Sequence, residues 1–411
     1  MYARSQENSF PVMARTDSEQ TETSSATGVF VRRLQLARFR NYPFLRLDIP
    51  SDCRQIVLTG KNGTGKTNLM EAVSLLAPGK GIRQARLADI LPKEEARAIS
   101  WGITALLHKG DEEIEVGTDY EKAAGKNSEK RRVRINGESG LAQTELGEVC
   151  SAVWLTPAMD RLFSGEPAGR RRFLDRLTQA FFERHACACA AYSQALRQWS
   201  ALIRDGRQDD RWLAALEKTL GKYGALVSSE RRETVAILQK ALDENSDDAL
   251  FPRPLLSLQG GWEEELVSVK REEAESFIRE RFVQARDAYA QAGTAGGIHT
   301  VDLNALHRQK DMPAAVCSTG EQKALLISIL LAHVKAQASR KGVYPLVLLD
   351  EAAAHLDFGR REALMDEISA LKTQVWLTGT DSRPFESLKE TAYFIAVDNL
   401  LRDAPDWATA S

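Results

Sequence analysis

Gln55-Ile56-Val57-Leu58-Thr59-Gly60-Lys61-Asn62-Gly63-Thr64-Gly65-Lys66-Thr67 is the stretch on which the reading of the whole chain turns. It opens as a short β-prone run and closes on the pattern GxxxxGK[ST], after which Leu69, Met70, Val73 and Leu76 recur at helical spacing. A strand, a glycine-rich loop and a helix in that order make a phosphate-binding loop. The glycines let the backbone wrap a β-phosphate, and the loop amides and the positive end of the helix meet its charge. Lys66 is placed to bridge the β- and γ-phosphates and Thr67 to turn a hydroxyl toward Mg²⁺. A chance match to the pattern is the competing explanation, and the flanking strand and helix argue against it.

A second element lies far downstream. Tyr344-Pro345-Leu346-Val347-Leu348-Leu349 is a continuous apolar run ending in Asp350-Glu351, as a strand buried on both faces of a parallel sheet would be. Carboxylates at the C-terminal end of such a strand lie where nucleotide sites form. Asp350 is then expected in the Mg²⁺ shell, and Glu351 is expected to orient and deprotonate the attacking water. The plainer alternative makes Asp350 a helix N-cap and Glu351 a first-turn acid. Between the two elements, Ser318-Thr319-Gly320-Glu321-Gln322-Lys323 precedes the helical run ALLISILLAHV. Ser318 and Glu321 fit a capping box, while a Ser-x-Gly helix start also offers free amides to a γ-phosphate. Both readings stand at this level.

Composition narrows the class. With 43% hydrophobic and 27% charged residues in 411 positions, the chain carries none of the biases of collagen, disordered or coiled-coil rod proteins. Its longest apolar stretch, Ala324 to Ala332 broken by Ser328, is far short of a bilayer span, so no membrane association is expected. The five cysteines are scattered and lack CxxC pairs, which points to reduced thiols in a cytoplasm. Cys187 and Cys189 point in different directions on a helix, which makes a metal clip between them improbable. The formal net charge of −2 means that nucleic-acid binding has to come from local basic patches.

The order of motifs resembles the ATP-binding-cassette ATPases: a P-loop, an SxGE/Q signature, the Asp350-Glu351 strand, then Ala354-His355-Leu356-Asp357 where a D-loop belongs. The interval of about 250 residues between Thr67 and Ser318 is longer than a transporter cassette has and shorter than the inserted heptads of SMC or Rad50 proteins. Further stretches are similar to the RecF family of recombination and gap-repair ATPases. They are Phe39-Arg40-Asn41-Tyr42, Leu155-Thr156-Pro157, Leu162-Phe163-Ser164-Gly165, Arg171-Arg172-Phe173-Leu174-Asp175, Gly297 to Leu303, and Gly320 to Leu326. Two departures stand out: Ile298 and Thr300 flank His299 in place of a proline and a basic residue, and no glutamine follows Leu155 where a Q-loop would have one.

The resemblance implies an α/β fold: an ABC-type P-loop ATPase head, with a mixed sheet, flanking helices and an antiparallel subdomain, interrupted by a helical arm. Residues 1–28 are expected to be a disordered tail, 29–174 and 296–411 the two parts of the head, and 175–295 the arm. It implies ATP held by Gly60, Asn62, Gly63, Gly65, Lys66, Thr67, Asn68, Arg40, Ser318, Gly320 and Asp357, with Mg²⁺ on Thr67 and Asp350, and with Glu351 and Lys66 catalytic. The signature of each copy would face the P-loop of a second in an ATP-dependent homodimer. DNA at single-strand/double-strand regions, a RecR-like mediator and a RecA-type recombinase are the implied partners.

Two basic clusters compete for DNA. Arg170, Arg171 and Arg172 open a helix where its dipole disfavours cations, which hints at a use; the alternative is that they only solvate a helix end. Lys126, Lys130, Arg131, Arg132 and Arg134 form a second cluster, for which a solvated sheet rim is the plainer reading. The arm aromatics Tyr192, Trp199 and Trp212 recur at helical spacing, as core residues do, though aromatics also stack on bases. Gly206, Gly221, Gly224 and Pro252-Arg253-Pro254 are expected to break the arm. A regulatory cassette ATPase that acts on a protein partner without DNA remains the second functional reading.

Overall fold

The computed structural model describes residues 26–93, 99–122, 130–206, 209–244, 251–293 and 296–400. Of the expected tail, residues 1–25 lie outside these. Thr27 is already paired: its N–H donates to the Gly342 carbonyl at 2.9 Å, and its own carbonyl accepts from Tyr344 at 2.8 Å.

β1 (Val29–Phe39) and β2 (Tyr42–Asp48) form an antiparallel hairpin, and β3 (Gln55–Thr59) leads through the glycine-rich loop into α1 (Lys66–Ser74). β4 (Ser100–Lys109), β5 (Glu112–Glu121), β6 (Arg131–Ile135) and β7 (Glu138–Ser139) follow. Asn136 and Gly137 join the last two strands with φ of 49° and 84°, the double left-handed turn that an Asn-Gly pair favours. Next come α2 (Leu146–Val149), β8 (Ala152–Leu155), α3 (Pro167–Gln179), α4 (His185–Arg204) and α5 (Asp210–Asp243). β9 (Pro254–Gln259), α6 (Glu263–Leu266), α7 (Ala274–Gln284), α8 (Arg286–Ala292), β10 (Asp302–His307) and β11 (Met312–Pro313) lead back toward the head. α9 (Thr319–Lys341), β12 (Leu346–Leu349), α10 (Phe358–Ala370), β13 (Val375–Gly379), β14 (Ala392–Ala396) and α11 (Val397–Leu400) complete the described chain.

The central sheet has the order β14-β3-β13-β12-β8, and every pairing in it is parallel. Alternate residues of its strands enter different cores. Ile56, Leu58, Leu348 and Trp376 face α1 and the antiparallel sheet β2-β1-β4-β5-β6-β7, whereas Val57, Leu349 and Leu377 face α9 and α10. That two-sided burial is why β3, β12 and β13 read as unbroken apolar runs while β1 alternates. Parallel and antiparallel pairing are both present, segregated into separate sheets.

The arm departs from the expected reading at its start and at one internal segment. The boundary at 174/175 falls inside α3, and residues 254–259, read as arm, form β9, which pairs with β10 in a small antiparallel sheet with β11. The proline segment thus marks an entry into a strand. Gly221 and Gly224 do not break α5, which runs unbroken for 34 residues. They let α7 approach: a Cβ on Gly221 would lie 2.5 Å from the Glu275 carbonyl oxygen. Tyr192, Trp199 and Phe282 stack edge-on or tilted inside the third core, so the first two of these aromatics serve packing rather than bases, and Trp212 stays half exposed.

A buried polar network runs from the head into the arm. Arg170 makes a two-pronged pair with Asp302, both contacts 2.7 Å, and gives its remaining terminal nitrogen to the carbonyls of Leu162, Phe163 and Gly165. Arg231 forks onto Asp175 at 2.8 and 3.0 Å and donates to the Ile298 carbonyl. His185 is fully buried between Glu230 at 2.6 Å and Asp175 at 3.0 Å, with the Cys189 sulfur 3.4 Å from Nε2. Asp175, His185 and Cys189 offer ligand atoms within 4.8 Å of one another, yet both Asp175 oxygens already carry the Arg231 fork, so the cluster works as an ion network. His299 completes the joint through the Tyr192 hydroxyl at 3.1 Å.

Burial would depress the His185 pKa, but its hydrogen bonds to Asp175, Cys189 and Glu230 outweigh burial and raise it to about 10. A folded-state pKa above the unfolded value of about 6.5 means that the imidazolium stabilises fully below about pH 6.5 and that this contribution is lost as pH rises toward 10. The stability difference between wild type and His185→Gln is therefore expected to shrink across that window by about 1.4 kcal/mol per pH unit at most, read from denaturant melts. A pH-independent difference would overturn the charged assignment.

Candidate nucleotide site

The site lies at the C-terminal edge of the parallel sheet. The loop after β3 folds over Lys66, which is 5% exposed and donates to the carbonyls of Gly60 at 2.5 Å and Lys61 at 2.8 Å. Gly60, Asn62, Gly63 and Gly65 form the turn above it, and Asn68 donates to Asn41 in the β1–β2 turn at 2.6 Å. Thr67, first-turn residue of α1, donates to Asp350 Oδ2 at 3.1 Å. Thr378 of β13 donates to Asp350 Oδ1 at 2.7 Å, and its hydroxyl also accepts from the Glu351 N–H at 2.9 Å. The first turn of α1 and the end of β13 thus converge on one buried carboxyl at the end of β12.

Asp350 is no helix cap; that role falls to Asp357, whose Oδ1 accepts from the Arg360 N–H at 2.9 Å at the start of α10. Glu351 is held in a left-handed conformation with φ of 52°, uncommon for a residue with a β-carbon. Besides Thr378, Lys323 holds it: 2% exposed on α9, it donates 2.9 Å bonds to the carbonyls of Glu351 and Ala354 and reaches Asp160 at 3.4 Å. Burial lowers the Lys323 pKa against the opposing pull of Asp160. The signature helix is therefore tied to the backbone of the expected water-handling residue.

Ser318 caps that helix: its N–H donates to Glu321 Oε2 at 2.9 Å, and its Oγ accepts from the Glu321 N–H at 3.4 Å. Lys310 adds an ion pair, and these bonds bring the Glu321 pKa down to about 2. Ser318 is nevertheless exposed, and Gly320 abuts the D-loop, where an added Cβ would lie 3.5 Å from the His355 carbonyl oxygen. Ser318, Gly320 and Asp357 are thus gathered on a surface joined to the P-loop side through Lys323 and Glu351.

Arg40 is engaged elsewhere than expected. Its guanidinium forks onto the fully buried Glu71 of α1 at 2.6 and 2.8 Å and donates to the Asp89 carbonyl, leaving two of its five N–H donors for a ligand.

The basic clusters require correction. Arg170 is not available to a phosphate, because every nitrogen of its guanidinium is engaged in the joint, and Arg171 donates to the Val301 carbonyl at 3.0 Å; Arg172 alone is exposed. Arg131 is buried and closes the C-terminal turn of α1 by donating to the carbonyls of Leu75, Ala77 and Gly79, where a cation suits the helix dipole. Arg132 pairs with Asp119 and Glu121, and Lys126 lies outside the described residues.

Sequence reasoning missed Lys323, Thr378 and Asp160. A lysine opening an otherwise apolar helical run was the one available signal, since a helix apolar all round is buried all round.

A family profile described as "RecF/RecN/SMC N terminal domain" matches residues 30–400. The chain is 41% identical over 370 residues to "DNA replication and repair protein RecF" of Mesorhizobium japonicum, covering 90% of this chain and 96% of that one. The protein of the same name from Rhizobium meliloti is 40% identical over 372 residues, covering 90% and 98%.

The chain belongs to the RecF family.

Its fold is that of a solved "recombination mediator protein RecF-ATPrS in RecFOR pathway", with a TM-score of 0.76, 16% identity and coverage of 91% and 98%. A second, described with ATP, gives 0.70 at 18% identity, covering 88% of this chain and 96% of that one. Among the described residues of the present chain, no helix is long and apolar enough to cross a membrane, and all five cysteines are free.

Lys323→Met removes the tie to Glu351 while keeping an apolar stem of similar length. ATP affinity is expected to stay within about threefold, while turnover at saturating ATP falls about tenfold or more, since releasing a strained backbone conformation is worth about 1–3 kcal/mol. Equal loss of affinity and turnover would show that Lys323 shapes the whole site instead.

Proposed function

We propose that this protein is an ATP-switched DNA-binding ATPase of recombinational gap repair, acting in the cytoplasm. Two copies close over two ATP molecules, and the closed dimer engages DNA at single-strand/double-strand regions. It then helps a RecR-like mediator load a RecA-type recombinase. The convergence of Thr67, Thr378 and the loop lysine on the ends of β3, β13 and β12 carries the nucleotide part of this reading. The likeness to DNA replication and repair proteins supports the repair part.

The residues at the loop suit Mg²⁺: the Thr67 hydroxyl and the Asp350 carboxyl are hard oxygen donors 3.1 Å apart. Bound there, the ion would neutralise charge on the β- and γ-phosphates. Lys66 would exchange its two loop carbonyls for phosphate oxygens. Glu351 orients a water and takes its proton; the water oxygen bonds to the γ-phosphorus as the bond to the bridging oxygen breaks, leaving ADP and phosphate. Ser318 and Gly320 of one copy would meet the γ-phosphate held by the other.

The burial of Arg170 and Arg131 within the fold favours the second reading, an ATPase acting on a protein partner without DNA. Fluorescence anisotropy on gapped duplex, with and without ATP, decides between them: ATP-dependent binding is expected, and no binding under either condition would leave the protein-partner reading.

Two outcomes test the switch. In sedimentation with ATP, Glu351→Gln is expected to dimerise and Glu351→Gln/Ser318→Arg to remain monomeric; a mere loss of helix cap would cost about 0.5–2 kcal/mol of stability and leave the dimer intact. On DNA, Arg172→Gln is expected to flatten the slope of log affinity against log salt by about 0.9 on duplex, the amount for one lost phosphate contact. An unchanged slope would move the contact off α3.

A further inference from the structure

β14 is the outermost strand of the parallel sheet, paired with β3 so that Ala396 stands opposite Thr59. The chain beyond it therefore emerges beside the first residue of the glycine-rich loop. Asp398 lies two residues past that strand, and its Oδ1 is shielded from solvent with no hydrogen-bond partner among the described residues. The same oxygen lies 3.0 Å from where a β-carbon on Gly60 would be, and Gly60 has a φ of +145°. A polar oxygen withheld from water and left unpaired is costly, so one beside a ligand loop invites a donor from the ligand.

Which part of the ligand it meets follows from the order of the strands. Thr378, Asp350 and Glu351 lie on β13 and β12, to one side of β3, while Asp398 lies beyond β14, to the other. A nucleotide whose γ-phosphate is directed at Asp350 and Glu351 has its opposite end on the Asp398 side. Phosphate oxygens there would find no donor in a carboxylate. The nucleoside does carry donors, two ribose hydroxyls and the exocyclic amine of adenine.

We propose that Asp398 is a specificity-determining residue that accepts a hydrogen bond from an O–H or N–H donor of the nucleoside half of ATP. This rests on the P-loop reading above and goes beyond it by assigning the recognition of the nucleoside, which none of the P-loop, signature or Walker-type residues provides. Asp398 acts in binding alone and takes no part in bond breaking.

The test is equilibrium binding of ATP, 2′-deoxy-ATP, 3′-deoxy-ATP, purine riboside triphosphate and inorganic tripolyphosphate to wild type, Asp398→Asn and Asp398→Ala, with a thermal melt of each variant. Wild type is expected to lose about tenfold to a hundredfold in affinity for the one analogue that lacks the recognised donor, because an unmet buried acceptor is then left behind. Asp398→Asn, which keeps an acceptor oxygen, should retain part of that discrimination. Asp398→Ala should lose it and bind tripolyphosphate as wild type does. The inference is overturned if wild type binds every nucleoside analogue alike, or if Asp398→Ala keeps the wild-type pattern. It is equally overturned if Asp398→Ala weakens tripolyphosphate as much as ATP, since the residue would then only shape the loop. Failure of the underlying reading looks different: wild type and Lys66→Ala would bind both ATP and tripolyphosphate equally.

Discussion

Two hydroxyls, Thr67 from α1 and Thr378 from β13, donate to the single buried carboxyl of Asp350 at the end of β12. That geometry is possible only if β3, β13 and β12 run parallel, side by side and in register, so that their C-terminal ends share one edge. The sheet order, the two-sided burial of its strands and the connections over both faces all serve that constraint. A chain entering this sheet in a different order would separate the phosphate loop from its acidic partner, whatever the local sequence.

The second organising device is the use of arginine as internal mortar. Arg170 and Arg231 each form a two-pronged pair with a carboxylate and also satisfy backbone carbonyls that a buried loop would otherwise leave unmet. Arg131 does the same for the last turn of α1. A guanidinium suits these places because its planar fork offers five donors without losing its charge. Beside the apolar contact of Leu238 and Leu242 with the head core, the joint between head and arm thus has a polar, directional part built from opposed charges, whereas the arm itself is an ordinary aromatic and aliphatic core.

Lys323 links these themes. It stands on the helix that Ser318 caps, yet its ammonium ends on the backbone of Glu351 and Ala354. A displacement of the signature helix is therefore felt at the backbone of the residue expected to handle water, through two hydrogen bonds and no intervening side chain. In the same way the left-handed backbone at Glu351 and His355 marks a stretch whose conformation is imposed by its neighbours.

Much of this protein was legible in its residues alone. The phosphate loop, the Asp350-Glu351 strand end, the capping box at Ser318 and the Asn136-Gly137 turn are local patterns, each dictated by what a few consecutive residues can do with their own backbone. The unbroken apolar run before Asp350 marked a doubly buried strand for the same reason. What the tertiary structure alone decided is where long side chains end. Arg170 and Arg131 look like surface cations and Arg40 like an ATP ligand in a linear string, because a string does not show which carboxylate or carbonyl lies across the fold from them. Gly221 looks like a helix breaker until α7 is laid against it, and residues 254–259 look like arm until β10 offers them a partner. Charge and flexibility are properties of a residue; whether they face solvent, a ligand or another part of the chain is a property of the packing, and contacts between residues far apart in sequence leave no periodic trace by which to read them.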